Sequence, residues 1–144
     1  MWRVMMVAVA FAIAGCAGIQ TPLTPQEISD RKAQPVAGKA VVYVVQDPLG
    51  SYGAGLRFDD GTEITTWPGT YYRWVTTPGT HRIVSAEGNL SARITLQVEA
   101  GKVYFVQHQV QGIRGSTTDA SLQSISEGLG RELLDSARLC CKTG

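Results

Sequence analysis

Between residues 39 and 110 the chain is cut into short β-type runs by Gly, Pro and Asp-Gly pairs, at intervals of roughly eight to twelve residues. Breaks this frequent leave no room for a helix of ordinary length, and they fit a sandwich or a barrel. Residues 40–45, Ala-Val-Val-Tyr-Val-Val, are apolar throughout, so they are expected to form an interior strand covered on both faces. Residues 54–58 and 62–66 flank Asp59-Asp60-Gly61, where Gly supplies a positive φ, and they predict a hairpin. Residues 70–75 follow Pro68-Gly69 and residues 81–86 follow Pro78-Gly79, each as a further strand. Residues 90–98 alternate strictly, with Leu90, Ala92, Ile94, Leu96 and Val98 on one face. Ala100-Gly101 then turns the chain into a long strand over 103–110, and a polar loop occupies 112–119. Residues 122–125 are expected as an edge strand, and Ser124-Ile125-Ser126-Glu127 as a capping box. A short C-terminal helix is expected to run to about Leu139. Leu129, Leu133 and Ala137 share one face with Leu134 beside them, and Gly128 and Gly130 weaken its start.

The N-terminus carries a different signal. Arg3, an apolar run over residues 4–14 and small residues before Cys16 fit an export signal ending in the lipobox tetrapeptide Ile13-Ala14-Gly15-Cys16. The apolar run is too short to span the hydrocarbon core. The expected organisation is therefore a signal peptide over 1–15, a lipidated N-terminus and tether over 16–37, and a β-sandwich domain over 38–144. By resemblance to bacterial lipoproteins, Cys16 carries the lipid. Several chains anchor a protein stably where one binds only marginally. Ala17, in place of the Asp common after that cysteine in inner-membrane lipoproteins, points by the same resemblance to the outer membrane. Within the tether, Thr24-Pro25-Gln26-Glu27 is a capping-box pattern with Pro at the first helical position, predicting one short helix that ends before Pro35.

Without residues 1–15, whose one basic residue is Arg3, twelve bases face twelve acids. A neutral chain with no basic run gives no electrostatic case for nucleic acid. The expected partners are the membrane, through the lipid, and an envelope protein or peptidoglycan.

Gly38-Lys39-Ala40-Val41-Val42-Tyr43-Val44, the Asp-Gly hairpin, Gly69-Thr70-Tyr71-Tyr72, Pro78-Gly79-Thr80-His81 and Ala100-Gly101-Lys102-Val103-Tyr104-Phe105-Val106 together resemble the DUF2846 family of bacterial lipoproteins, over about residues 38–135. The resemblance implies an all-β fold, an Ig-like or prealbumin-like antiparallel β-sandwich, and brings no catalytic residues with it. On that basis the chain is expected to be a lipid-anchored, periplasm-facing binding or structural module rather than an enzyme. A glycan- or peptidoglycan-binding domain is the alternative, and a hydrolase using His81 or His108 is a further one.

The residues that bear chemistry are few. His81 and His108 are the only histidines. A Ser-His-Asp site would draw on His81 with Asp59 or Asp60, but no Gly-x-Ser-x-Gly elbow is present. Asp59, Asp60 and Glu63 form an acidic knot without EF-hand spacing, best read as solvated hairpin charges. The Gly-rich stretch over 50–55 matches no phosphate-binding fingerprint. Tyr52, Trp67 and Tyr71 are the candidate ligand- or partner-binding residues, because flat amphipathic rings suit sugar faces and protein hot spots. Tyr72 and Trp74 share one strand face and Tyr71 the other, with Trp74 assigned to the core and Trp67 to the surface. Cys140 and Cys141 are adjacent, which leaves three alternatives: an intermolecular disulfide, a strained ring or free thiols. A Cys2His2 metal site using both histidines matches no zinc spacing, and no metal or cofactor is expected.

Overall fold

The structure is a computed structural model that describes residues 21–86, 92–113 and 118–141. The segment expected to be an export signal, Cys16, Leu90, Ser91 and the middle of the expected polar loop lie outside the described residues. Among the described residues nine strands form two facing sheets, accompanied by two helices.

The first sheet holds β1 (Ala40–Gln46), β4 (Thr70–Thr76), β7 (Val103–Gly112), β8 (Thr118–Ile125) and β9 (Arg138–Leu139), in the order β8-β7-β1-β4-β9. The second holds β2 (Ala54–Phe58), β3 (Glu63–Thr66), β5 (Gly79–Ser85) and β6 (Arg93–Val98), in the order β3-β2-β5-β6. Every residue of β1 is buried, as its unbroken apolar run predicts. One face, with Val42 and Val44, packs with Leu56, Phe58, Tyr72, Trp74 and Ile83 between the sheets. The other, with Val41, Tyr43 and Val45, packs with Tyr71, Phe105 and Leu134 beneath the helices α1 (Pro25–Asp30) and α2 (Glu127–Ser136). The chain is thus a sandwich whose first sheet has a third, helical layer on its back.

The turn chemistry holds where it was expected. Gly61, Gly69, Gly79 and Gly101 all take positive φ, and the Asp59-Asp60-Gly61 turn joins β2 to β3. Thr24 caps α1 with a complete capping box. Its hydroxyl accepts from the Glu27 N–H, and its own N–H donates to the Glu27 carboxylate.

Four expectations are corrected. The sandwich is not purely antiparallel, because β1 pairs with β7, and β4 with β9, in parallel. The chain reaches β7 through β6 in the opposite sheet, and β6 ends at the end of the sandwich where β1 begins, so both strands start together. The Gly101 N–H donates to the Lys39 carbonyl there at 2.7 Å. The cap of α2 is Ser126, whose hydroxyl accepts from the Leu129 N–H. Ser124 is still committed to the β8 ladder opposite Val106. The helix stops at Ser136, and Leu139 lies in β9 beside Tyr71. Leu134 and Ala137 are buried and Leu133 packs on the same core as expected, but Leu129 is exposed and Gly130 lies in the buried face instead.

Gly130 is the point of closest approach rather than a weakness. A Cβ there would sit 2.2 Å from Cγ of Phe105. Gly130→Ala is expected to lower stability by about 1–3 kcal/mol through overpacking, more than the roughly 1 kcal/mol of helix propensity it gains. Gly128→Ala meets nothing within 4 Å and is expected to be neutral or stabilising by up to about 1 kcal/mol. Thermal denaturation of the two variants checks the contrast, and equal shifts would contradict it.

Candidate functional site

The two histidines lie in opposite environments. His108 on β7 points between the sheets and has no exposed surface. Its Nδ1 lies 3.1 Å from Oγ1 of Thr66 on β3, and its Nε2 lies 3.0 Å from Oγ of Ser85 on β5. The proton positions follow from the next links. Gln46 Nε2 donates to the Tyr52 carbonyl at 2.7 Å, so its Oε1 faces Thr66 and accepts that hydroxyl's proton at 2.7 Å. With its own proton spent, Thr66 must accept from Nδ1–H, which leaves Nε2 to accept from the Ser85 hydroxyl. The result is a directed chain, Ser85 to His108 to Thr66 to Gln46 to the Tyr52 carbonyl, crossing the apolar core. Burial pushes the His108 pKa down to about 4, so the ring is neutral at physiological pH. The Ser85–His108 pair has the proton arrangement of a nucleophile and its base. However, the ring is held by two hydroxyls, and all four side chains of the chain are fully buried.

His81 on β5 sits near the opposite end of the sandwich from the chain's Tyr52 terminus. Its Nδ1 is 3.0 Å from Oδ2 of Asp59, and its Nε2 is 2.7 Å from the Thr77 carbonyl. Both ring nitrogens face acceptors, an arrangement suited to the doubly protonated ring. Burial works to lower its pKa, but the Asp59 carboxylate, the Thr77 carbonyl and the charge of Asp60 outweigh it and raise the value above 6.5. The edge of the ring meets Trp74, whose indole N–H donates to Asp60 at 2.9 Å. The acidic knot is therefore spent on donors. Asp59 serves His81 and the Arg82 N–H, Asp60 serves the Thr62 N–H and Trp74, and Glu63 serves Arg57.

Beside His81 the outer face of the second sheet carries a shallow groove of about 340 Å³, lined by Arg57, Asp59, Thr80, Arg82, Val84 and Thr95 among others. Cross-strand pairing sets this up: Arg57 is opposite Val84, and Arg82 opposite Thr95. Strand alternation keeps these side chains out of the core while Phe58 and Ile83 point in.

The aromatic candidates separate. Trp67 is half exposed, as expected, and its ring lies flat on Gly53, where a Cβ would come within 2.7 Å. Tyr52 is half-buried, and its backbone carbonyl accepts from Gln46 Nε2. Tyr71 is corrected from a binding residue to a core residue. It is fully buried, and its hydroxyl donates to Asp30 Oδ2 at 2.9 Å. Helix α1 covers that face, and the Tyr43 hydroxyl donates to the Asp30 carbonyl beside it. Of the three alternatives for the cysteines, the structure has Cys140 and Cys141 bonded to each other, not offered to a second chain. They are not in a loose tail: the Cys140 N–H donates to the Tyr71 carbonyl, and both pack on the edge of the inter-sheet core. Among the described residues no group of three or more His, Cys, Asp or Glu side chains is gathered to hold a metal ion.

Sequence reasoning missed one site altogether. Glu27 is 3% exposed, and its carboxylate accepts from Arg138 Nε and Nη2 and from the N–H groups of Thr24 and Leu139. Arg138 also donates to the carbonyls of Thr21 and Pro22. The segment expected as a tether is thus packed on the sheet edge from Thr21 onward. The capping box placed Glu27 correctly, but nothing local announces a partner 111 residues away.

No family model matches the chain, and no curated protein matches it.

The two imidazoles give a direct check. In an NMR titration, one is expected to titrate above pH 6.5 and the other to stay neutral to about pH 4. Asp59→Asn should lower the first and leave the second unchanged. The raised His81 value stabilises the fold at low pH and loses that effect as pH rises through it. The depressed His108 value does the reverse, costing stability as pH falls from 6.5 towards 4. Two indistinguishable titrations near 6.5 would contradict both environments.

Proposed function

We propose that the chain is a lipoprotein of the DUF2846 type, anchored through Cys16 to the outer membrane and facing the periplasm, whose sandwich acts as a non-catalytic binding or structural module. The observation that carries this reading is the fusion of the segment after the lipobox with the domain, through the Glu27–Arg138 cluster. Such a seat transmits the position of the anchor to the whole sandwich. The two facing sheets of five and four strands support an Ig-like or prealbumin-like relationship at the level of architecture. Among the described residues no helix is long and apolar enough to cross a membrane, so the lipid is the anchor in this reading.

The placement of the histidines favours binding over hydrolysis. A hydrolytic centre needs its nucleophile and base in a cleft that substrate can enter. Ser85 and His108 are sealed between the sheets, and His81 has both nitrogens held by acceptors. For a wall-binding role, the Trp67–tyrosine platform loses Tyr71 to the core, and the groove beside Arg57 and Arg82 becomes the better surface. The Arg82 guanidinium and the Arg57 guanidinium, whose Nε is held by Glu63, are flanked by Thr80 and Thr95 and suit the carboxylates of an anionic peptide or glycan, as in peptidoglycan.

Two experiments test the proposal. Metabolic labelling with a fatty-acid analogue should label the wild-type chain in a bacterial host and not Cys16→Ser, and the variant should leave the membrane fraction. A labelled Cys16→Ser chain, or unchanged retention, would overturn the anchor. Binding to purified sacculi should fall at least tenfold in Arg57→Ala/Arg82→Ala, the loss of about 1.4 kcal/mol or more expected from two charge-assisted contacts. Undiminished binding would remove the groove from the account.

A further inference from the structure

The ends of the sandwich differ in character. One end gathers the β1–β2 loop over 47–53, the β3–β4 turn at Trp67 and the end of β7. Among the described residues Leu49 and Ile113 are the most exposed large apolar side chains, at 83% and 71%, and the half-open ring of Trp67 lies at the same end. These positions are tied together through the backbone. The Gly69 N–H donates to the Gln46 carbonyl, Pro48 lies against Gly69, and the Ser51 N–H donates to the Val110 carbonyl. Asp47 holds the loop's shape, accepting from the Leu49 N–H with one carboxylate oxygen and from Gln107 with the other. Leu49 is therefore presented outward by a built turn, and the one acid of that loop is already occupied. The opposite end carries Asp59, Asp60, Glu99 and Lys102, all exposed to water.

Where the chain enters the fold selects the occupant of the apolar end. Thr21 is held at that end by Arg138, whose own N–H donates to the Gly69 carbonyl. Cys16 precedes Thr21 by five residues, which span at most about 18 Å. The six steps of β4 from Thr70 to Thr76 cover about 20 Å, so Cys16 stays nearer the apolar end than the far side of the polar end. We propose that the end formed by Leu49, Trp67 and Ile113 rests in the headgroup region of the bilayer, with Trp67 in the interfacial layer and the groove of the second sheet turned towards water. This rests on the lipid-anchor reading. Aromatic and aliphatic side chains on a short stalk suit that layer, where an indole places its ring in apolar surroundings and its N–H in contact with water. An exposed apolar cluster of this kind on a water-facing domain marks a contact surface.

The test is depth-resolved quenching of tryptophan emission by phospholipids brominated on their acyl chains, using the full chain processed in a bacterial host and reconstituted in phosphatidylethanolamine–phosphatidylglycerol vesicles. Trp2 leaves with the export signal, and Trp74 is buried, so it serves as an unquenched reference. The proposal predicts loss of the Trp67 emission with bromines near the headgroups. That loss should be absent in Trp67→Phe and reduced in Leu49→Asp, an exposed site whose substitution leaves the core intact. Both variants should stay in the membrane fraction. If Cys16→Ser is released from membranes and wild-type Trp67 is nevertheless unquenched, the anchor stands and bilayer docking is overturned, leaving this end to a protein partner. If Cys16→Ser is retained as well as the wild type, the anchor reading and the docking built on it both fall.

Discussion

A single carboxylate organises the join between the N-terminal segment and the sandwich. Glu27 is buried and ionised, a condition that costs several kcal/mol unless the charge is well satisfied. It is satisfied by four donors, two from the Arg138 guanidinium and two from the backbone. The Arg138 hydrogen bonds are the largest influence and outweigh desolvation, holding the Glu27 pKa at about 2. These four bonds cap α1 and fix the start of β9, and the Arg138 guanidinium they hold also donates to the Thr21 and Pro22 carbonyls, drawing residues 21 and 22 onto the sheet. Asp30, one helical turn on, continues the seam by accepting the Tyr71 hydroxyl and pairing with Arg73. Remove the charge at Glu27, and the N-terminal segment has lost its strongest link to the domain.

This seam explains why β4 has buried aromatic side chains on both of its faces. Tyr72 and Trp74 meet Phe58 between the sheets, while Tyr71 is covered by a helix that lies some forty residues upstream. It also explains why the sandwich has distinct ends. The chain enters at one of them, beside the exposed Leu49 and Trp67, and the charged turns at Asp59-Asp60 and Glu99–Lys102 lie at the other. The proposed role as an anchored module draws on this polarity, because a binding groove is useful only if the anchor leaves it facing its ligand.

Much of the fold was legible because it is encoded locally. Asp-Gly and Pro-Gly pairs marked the turns, the unbroken apolar run marked β1 as doubly covered, and Thr24 to Glu27 spelled out a capping box. What escaped depends on partners distant in sequence. The parallel pairing of β1 with β7 follows from which end of the sandwich β6 finishes at, and no residue in either strand records that. The two residues of β9 have no periodicity to read. Gly130 looks like a helix fault until Phe105 is placed beneath it. The candidate site divided for the same reason. Trp67, beside a proline turn, could be assigned to the surface, whereas the burial of Tyr71 required knowing the position of Asp30. The sealed chain through His108 required Ser85 and Thr66 to face it from another sheet.

The most direct measurement is the stability of the wild-type chain and of Glu27→Gln as a function of pH, by chemical denaturation. Glu27 has its pKa lowered from 4.5 to about 2. Its ionised form therefore stabilises the fold above pH 4.5 and loses that effect as pH falls towards 2. The account predicts that the variant is less stable by about 2–3 kcal/mol at pH 7, a gap that narrows below pH 4.5 and nearly closes by pH 2. A gap that is absent, or that stays constant across this range, would contradict the claim that the buried carboxylate locks the N-terminal segment to the sandwich.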